Sequence, residues 1–263
     1  MHGKANRFLP IEGVINFRDF GGYATRTGAR IRSGRLFRSA SHGGATDAAL
    51  DAVAALDIAV IVDLRRPTER QRDPSRRHPD YAGQVITCDL IGDAGDDPWW
   101  SFVTSSDLSE AAFRAYLTDY YAELPFEPRY VELYSRYFRA LAETDRAVLI
   151  HCTGGKDRTG ILAALTHHLL QVSQEDMMAD YLLTNAVPDI EKKVPVLMQK
   201  IAEGTGRQPS EAAVRAAWLA DEAYLQSALE SIKASRGSID DYLETVLGVD
   251  ADLRKRIEEQ LLA

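Results

Sequence analysis

The sequence predicts an α/β fold: a central mixed, largely parallel sheet flanked by helices, with a helical C-terminal half. Three observations carry this prediction. Residues 59–62 (Ala-Val-Ile-Val) and 147–150 (Ala-Val-Leu-Ile) are short, wholly apolar runs. Such runs fit strands buried on both faces. Helical periodicity fills the stretch between them, and after residue 158 apolar residues recur at helical spacing with little strand-like alternation.

The elements follow in order. Thr46 can cap a helix over residues 47–56, whose Ala49, Leu50, Val53, Ala54 and Leu56 form a core face. The first strand, 59–62, ends at Asp63-Leu64-Arg65, and residues 85–88 read as a further strand. Residues 93–126 mix Trp99, Trp100, Phe102, Phe113, Tyr116, Tyr120 and Tyr121 with many acids. This segment reads as a helical insertion, and its apolar face suits a lid over a site. Tyr130, Leu133, Tyr134, Tyr137, Phe138 and Leu141 mark a helix before the 147–150 strand. Ile161, Leu162, Leu165, Leu169 and Leu170 form the next apolar stripe, and further helices are expected over 175–185, 190–202, 210–235 and 239–247. No Pro/Gly/Ser linker divides the chain, so a single domain over 1–263 is expected.

Composition narrows the function. The chain has 263 residues, with 31 Lys plus Arg against 39 Asp plus Glu, a formal net charge of −8. That balance gives no electrostatic reason to expect nucleic acid as a partner. Two cysteines, Cys88 and Cys152, cannot build a disulfide framework, and their spacing suits no zinc site. No metal and no cofactor is expected. No stretch approaches the ~20 apolar residues that a membrane span needs, and the first residues show no signal-peptide core. A cytoplasmic location is expected, with signal-independent secretion left open.

The strongest signal is residues 151–160, His-Cys-Thr-Gly-Gly-Lys-Asp-Arg-Thr-Gly, set between a strand pattern and a helix pattern. Gly154 and Gly155 allow a tight turn that points successive N–H groups inward as an anion nest. The following helix adds its positive end, Lys156 and Arg158 add full charges, and Arg158 can grip two phosphate oxygens in fork geometry. A loop of this kind favours the thiolate of a cysteine at its base. Cys152 is therefore the candidate nucleophile. Thr153, Gly154, Gly155, Lys156, Asp157 and Arg158 are the candidate phosphate binders.

The Cys-x5-Arg pattern followed by Thr-Gly resembles the signature of the protein tyrosine phosphatase superfamily. The wording of the loop is similar to that of bacterial atypical tyrosine phosphatases that also act on phosphoinositides. Residues 16–23 (Asn-Phe-Arg-Asp-Phe-Gly-Gly-Tyr), 34–39, Asp63-Leu64-Arg65, 180–185 and 237–243 resemble further motifs of that group. The resemblance implies a tyrosine-phosphatase-like fold and a metal-independent phosphoric monoester hydrolase. It implies that Cys152 forms a phosphocysteine, with Arg158 and the loop amides holding the phosphoryl oxygens. It implies that Thr159 assists the leaving thiolate and that His151 orients the loop, with Asp63 and Arg65 in support. The Trp-Pro-Asp acid signature of common tyrosine phosphatases is absent, which leaves Asp93 and Asp157 as rival general acids.

The substrate also stays open between a phosphotyrosyl protein and a phosphoinositide. Lys156, whose counterpart in the tensin-homologue lipid phosphatases is also Lys, leans toward lipid. Arg65, Arg66, Arg70, Arg72, Arg76 and Arg77 form a run expected as a solvated face, or as a patch steering inositol headgroups. Arg18, Asp19, Arg38 and Ser39 are expected to be structural ties, and Cys88 a core residue. A catalytically weak phosphoinositide- or phosphoprotein-binding module is the alternative function. A sulfurtransferase would not require the Arg158-Thr159-Gly160 ending, and a thiol-linked arsenate reductase would want more resolving cysteines.

Overall fold

The computed structural model describes residues 7–90, 97–188 and 190–263. Five strands make the sheet: β1 (Arg18–Asp19), β2 (Leu36–Ser39), β3 (Ile58–Asp63), β4 (Gln84–Ile86) and β5 (Ala147–His151). Their order is β1-β2-β5-β3-β4. β2, β5, β3 and β4 run parallel, and only β1 pairs antiparallel. The mixed, largely parallel sheet expected from the sequence is therefore present.

Alternation along the strands divides the core. Phe37, Ile61 and Leu149 face a small cluster with Ile11, Val14, Phe17 and α1 (Asp47–Ala54). Thr46 caps α1 by accepting from the Ala49 N–H, as its sequence predicts. Leu36, Val60, Val62, Val148 and Ile150 face the opposite cluster, which holds α5 (Pro128–Glu143) and α6 (Asp157–Leu169). The α5 stripe Tyr130, Leu133, Tyr134, Tyr137, Phe138 and Leu141 is buried throughout.

The remaining helices are α2 (Pro67–Arg72), α3 (Pro98–Ser105), α4 (Glu110–Glu123), α7 (Gln174–Leu182), α8 (Lys193–Thr205), α9 (Glu211–Trp218), α10 (Glu222–Arg236), α11 (Ile239–Thr245) and α12 (Ala251–Leu261). Three departures from the sequence reading bear on the site. The helix expected over 210–235 is two helices. Asp221 caps α10 by accepting from Ala223, and Asn185 bonds both the N–H and the carbonyl of Ala220. Those competing partners break the helical ladder between α9 and α10. The segment expected as a lid over 93–126 is also divided: α4 buries Phe113, Leu117 and Tyr121 in the main core, so its described part narrows as a cover to α3. The arginine run is not a solvated face at its start, since Arg65 is 1% exposed and Arg66 is 4% exposed. Arg65 is held there by Asp63 and Arg66 by Glu127.

Strand register brings the C-terminal ends of β2, β5 and β3 together: His151 lies opposite Ser39 on one side and Asp63 on the other. In open parallel sheets this edge is where ligands bind. Behind it lies a buried charge cluster. Arg38 Nη1 donates to Asp180 Oδ2 at 2.7 Å, and Arg18 Nη2 donates to the Asp180 carbonyl at 2.9 Å. Burial opposes ionisation of Asp180, but the two guanidiniums more than reverse this and hold its carboxyl far below the usual range. A depressed carboxyl of this kind stabilises the fold above its unfolded value of about 3.9 and loses that contribution as pH falls below it. Asp180→Asn should remove about 3–5 kcal/mol in urea unfolding at pH 7, because two buried cations lose their counter-charge. Repeating the unfolding between pH 3 and pH 7 should show a shallower acid loss in the variant than in the parent. A loss under 1 kcal/mol at pH 7 would contradict this account.

Candidate active site

Cys152 follows β5 directly, and its side chain is 1% exposed. Residues 153–156 make the turn, and α6 begins at Asp157. Gly155 has φ +66°, and a Cβ there would meet the Ser39 carbonyl oxygen at 2.5 Å. Only glycine satisfies both the left-handed backbone and that close approach. The two loop carbonyls are then tied from outside. Asn16 Nδ2 donates to the Gly154 and Gly155 oxygens at 3.2 and 3.0 Å, and Arg38 Nη2 donates to the Gly155 oxygen at 2.9 Å. Each peptide is planar, so a carbonyl held on one side turns the next N–H to the other. The N–H groups of Gly155 and Lys156 are thereby turned away from the tied oxygens, next to the start of α6.

Arg158 is organised by a residue the sequence reading passed over. Its Nη1 and Nη2 donate to Glu69 Oε2 and Oε1 at 2.5 and 2.8 Å, as a two-pronged pair. Glu69 also accepts from the Thr153 hydroxyl and, at 2.8 Å, from the Arg66 N–H in a capping box at the start of α2. Burial disfavours the Glu69 anion, yet Arg158 and these donors hold its carboxyl far below the ordinary range. Arg158 thus spends its terminal edge on Glu69. The signal for Glu69 was available locally, as a Pro at the first position of α2 and a Glu at the third.

The supporting residues form a layer behind the loop. Asp63 accepts from Arg65 Nε at 2.9 Å and Nη2 at 2.8 Å, and its Oδ2 lies 3.7 Å from His151 Nε2. Burial pushes the His151 imidazole down from its ordinary value. His42, tilted against His151 with ring centroids 5.2 Å apart, bonds Ser39 Oγ and is pushed down by burial to about 3. Burial thus favours the neutral form of both rings, and both are held by neighbours behind the loop. Thr159 is fully buried on the first turn of α6, and its hydroxyl has no hydrogen-bond partner among the described residues.

Lys156 takes an unexpected place. Its ammonium donates to the Ala217 and Leu219 carbonyls at 2.5 and 3.3 Å, and it lies 3.2 Å from Asp157 Oδ1. Its three protons are matched to three acceptors, two of them at the end of α9. Asp157 Oδ1 also accepts from Tyr121 at 2.8 Å. Of the other acids, Asp97 caps α3 by accepting from Trp100, and Asp89 is an exposed partner of Arg70. Asp93 lies outside the described residues.

The loop opens into a pocket of about 470 Å³. Thr153, Gly154, Lys156, Asp157, Arg158 and Glu69 line it at one end, with Trp99 and Trp100 of α3, Tyr116 and Tyr120 of α4, Leu197 of α8 and Trp218 of α9 along its walls. Arg66, Arg72 and Lys200 add positive charge. Among the described residues no cluster of His, Cys, Asp and Glu could hold a metal ion, and no helix is long and apolar enough to cross a membrane.

Comparison with known proteins gives the family. The model of the tyrosine phosphatase family matches residues 9–263. A Cupriavidus necator protein with a provisional tyrosine-protein phosphatase name is 31% identical over 250 residues, covering 94% of this chain and 86% of that one. The triple specificity protein phosphatase PtpB of Mycobacterium tuberculosis is 31% identical over 265 residues, covering 91% of this chain and 93% of that one. The solved structure of TpbA from P. aeruginosa covers 80% of this chain and 97% of its own at 16% identity, with a TM-score of 0.29, too low to bear on the fold. On the family match and the two full-length relatives, the chain belongs to the tyrosine phosphatase family and is a phosphoric monoester hydrolase.

Proposed function

We propose that the protein hydrolyses aryl phosphate monoesters, phosphotyrosyl groups foremost, through a phosphocysteine on Cys152. The observation that carries this is the loop itself: a buried cysteine at the base of a nest whose carbonyls are tied outward and whose Arg158 is held in a fork by Glu69. In the first step the Cys152 thiolate attacks phosphorus and the bond to the leaving oxygen breaks. The Asp157 carboxyl gives that oxygen its proton. The loop N–H groups and Arg158 hold the three equatorial oxygens as charge spreads over them. In the second step water attacks phosphorus, Asp157 takes the water's proton, and the P–S bond breaks to release thiolate and phosphate. The Thr159 hydroxyl, unpartnered among the described residues, is the group we assign to serve the departing thiolate. Three described acids line the pocket; Glu69 is spent on Arg158 and Asp97 caps α3, which favours Asp157 as the donor.

The walls favour an aromatic leaving group. Trp99, Tyr116, Tyr120 and Trp218 line the pocket into which the loop opens. The leaning toward an inositol lipid rested on Lys156, and its ammonium is occupied by α9 and Asp157. An added ring phosphate would have to compete for it. The positive charge of Arg66, Arg72 and Lys200 keeps phosphoinositides as a second reading.

Cys152→Ser should abolish turnover of 4-nitrophenyl phosphate while vanadate still binds. Undiminished turnover would exclude the proposed intermediate. Side-by-side kcat/KM values on phosphotyrosyl peptides and soluble phosphoinositides should favour the peptides, and a preference for the lipid would reverse the substrate reading. Glu69→Gln removes a charge-assisted partner worth about 1.5–3 kcal/mol from Arg158. If that is lost in the transition state, kcat/KM should fall about 10–100-fold. Steady-state kinetics with unchanged kcat/KM would show that Arg158 holds its orientation without Glu69.

A further inference from the structure

A chain of hydrogen bonds runs from the core to the loop acid. Tyr121 of α4 is fully buried and donates to Asp157 Oδ1 at 2.8 Å. Its oxygen lies 2.7 Å from the hydroxyl of Tyr181 on α7, which is 1% exposed. The Tyr181 ring is seated against α6 at Gly160, where a Cβ would come within 2.8 Å of the ring. Glycine in the Arg-Thr-Gly ending therefore makes room for the ring that supports Tyr121. Both tyrosines stay neutral, because burial first and the nearby Asp157 second push their hydroxyls well above the ordinary value.

Asp157 Oδ1 thus faces two donors, the Tyr121 hydroxyl and the Lys156 ammonium 3.2 Å away. A carboxyl oxygen held by two donors acts as the carbonyl oxygen of the acid form, so a proton on this group belongs on Oδ2. We infer that Tyr121, supported by Tyr181, is a positioning residue that fixes the Asp157 carboxyl with its proton-bearing oxygen Oδ2 left for the leaving group. The inference rests on the reading of Asp157 as general acid. It gives α4 a second task besides lining the pocket, and it assigns the aromatic segment of the sequence to proton delivery.

The test compares kcat/KM for aryl phosphates of graded leaving-group acidity, from 4-nitrophenyl to phenyl phosphate. It uses wild type, Tyr121→Phe, Asp157→Asn and the double variant. A poor leaving group needs the proton, whereas a good one departs without it. Tyr121→Phe should lose about tenfold on phenyl phosphate, little on 4-nitrophenyl phosphate, and nothing in vanadate affinity. In the Asp157→Asn background it should lose nothing further. Equal loss on all leaving groups, loss that persists without Asp157, or no loss at all would overturn the inference while leaving Asp157 as the acid. An Asp157→Asn variant with no leaving-group dependence would instead remove the acid reading, and this inference with it. If Tyr121→Phe does not fold, Tyr181→Phe should show the same selective loss, about threefold, and a uniform or absent loss there would count against the inference.

Discussion

Everything at this site depends on where two carbonyl groups point. The oxygens of Gly154 and Gly155 are pulled outward by Asn16 and Arg38, and the planar peptides that follow turn their N–H groups the opposite way. Left free, a loop with two adjacent glycines would sample many turns, and the nest would be one conformation among several. Asn16 is buried and Arg38 fully so, and Arg38 is fixed in turn by Asp180 on α7. Loop amides with no charge of their own are thus aimed by a buried side-chain amide and a buried ion pair behind them. Electrostatic preorganisation of this sort is built in the folded protein before substrate arrives, so little reorganisation is left for the reaction.

The same logic explains an acidic chain with a cationic site. The net charge of −8 is spread over the whole chain, whereas the pocket concentrates Arg158, Arg66, Arg72 and Lys200. Packing cations together invites disorder by mutual repulsion, and the fold answers by placing an acid against each of the three arginines. Glu69 takes Arg158, Glu127 takes Arg66, and Asp97 lies 3.6 Å from Arg72. The Glu69 pair is the consequential one. Its two-pronged geometry holds the guanidinium in one plane, which a single hydrogen bond would not do.

Local features of the sequence carried the sheet and the loop. The 59–62 and 147–150 runs became β3 and β5 because strands buried on both faces must be apolar throughout, which leaves an unmistakable local trace. Residues 151–160 were legible for the same reason, since turn, nucleophile and helix start are contiguous. What escaped was non-local. β1 and β2 are short and carry buried arginines, so no hydrophobic pattern marked them. The break between α9 and α10 follows from Asn185, which lies 35 residues from the Ala220 it holds. Lys156 read as a loop cation because its acceptors at Ala217 and Leu219 are invisible without the fold. Glu69 and Tyr121 belong to this class too: each touches the loop from more than 30 residues away.

Those distant contacts also say why the helical half is attached to this site. Lys156 grips the end of α9, Tyr181 of α7 supports Tyr121 of α4, and Ser227 and Ser231 of α10 bond the Thr118 and Ala122 carbonyls of α4. The loop therefore receives its rear support from the sheet and its lateral support from the C-terminal helices. α4 is bound on both counts, to the core by Phe113 and Leu117 and to the loop by Tyr121. α3 is tied to the same half of the chain: Trp100 rests on α8 where Gly204 has no side chain, Val103 is fully buried, and Arg207 donates to the Val103, Thr104 and Ser106 carbonyls at the end of the helix. Both helical walls of the pocket are thus fixed from the C-terminal half. In the proposed mechanism that rigidity serves proton delivery, since an acid that donates to one leaving oxygen must be held in one place.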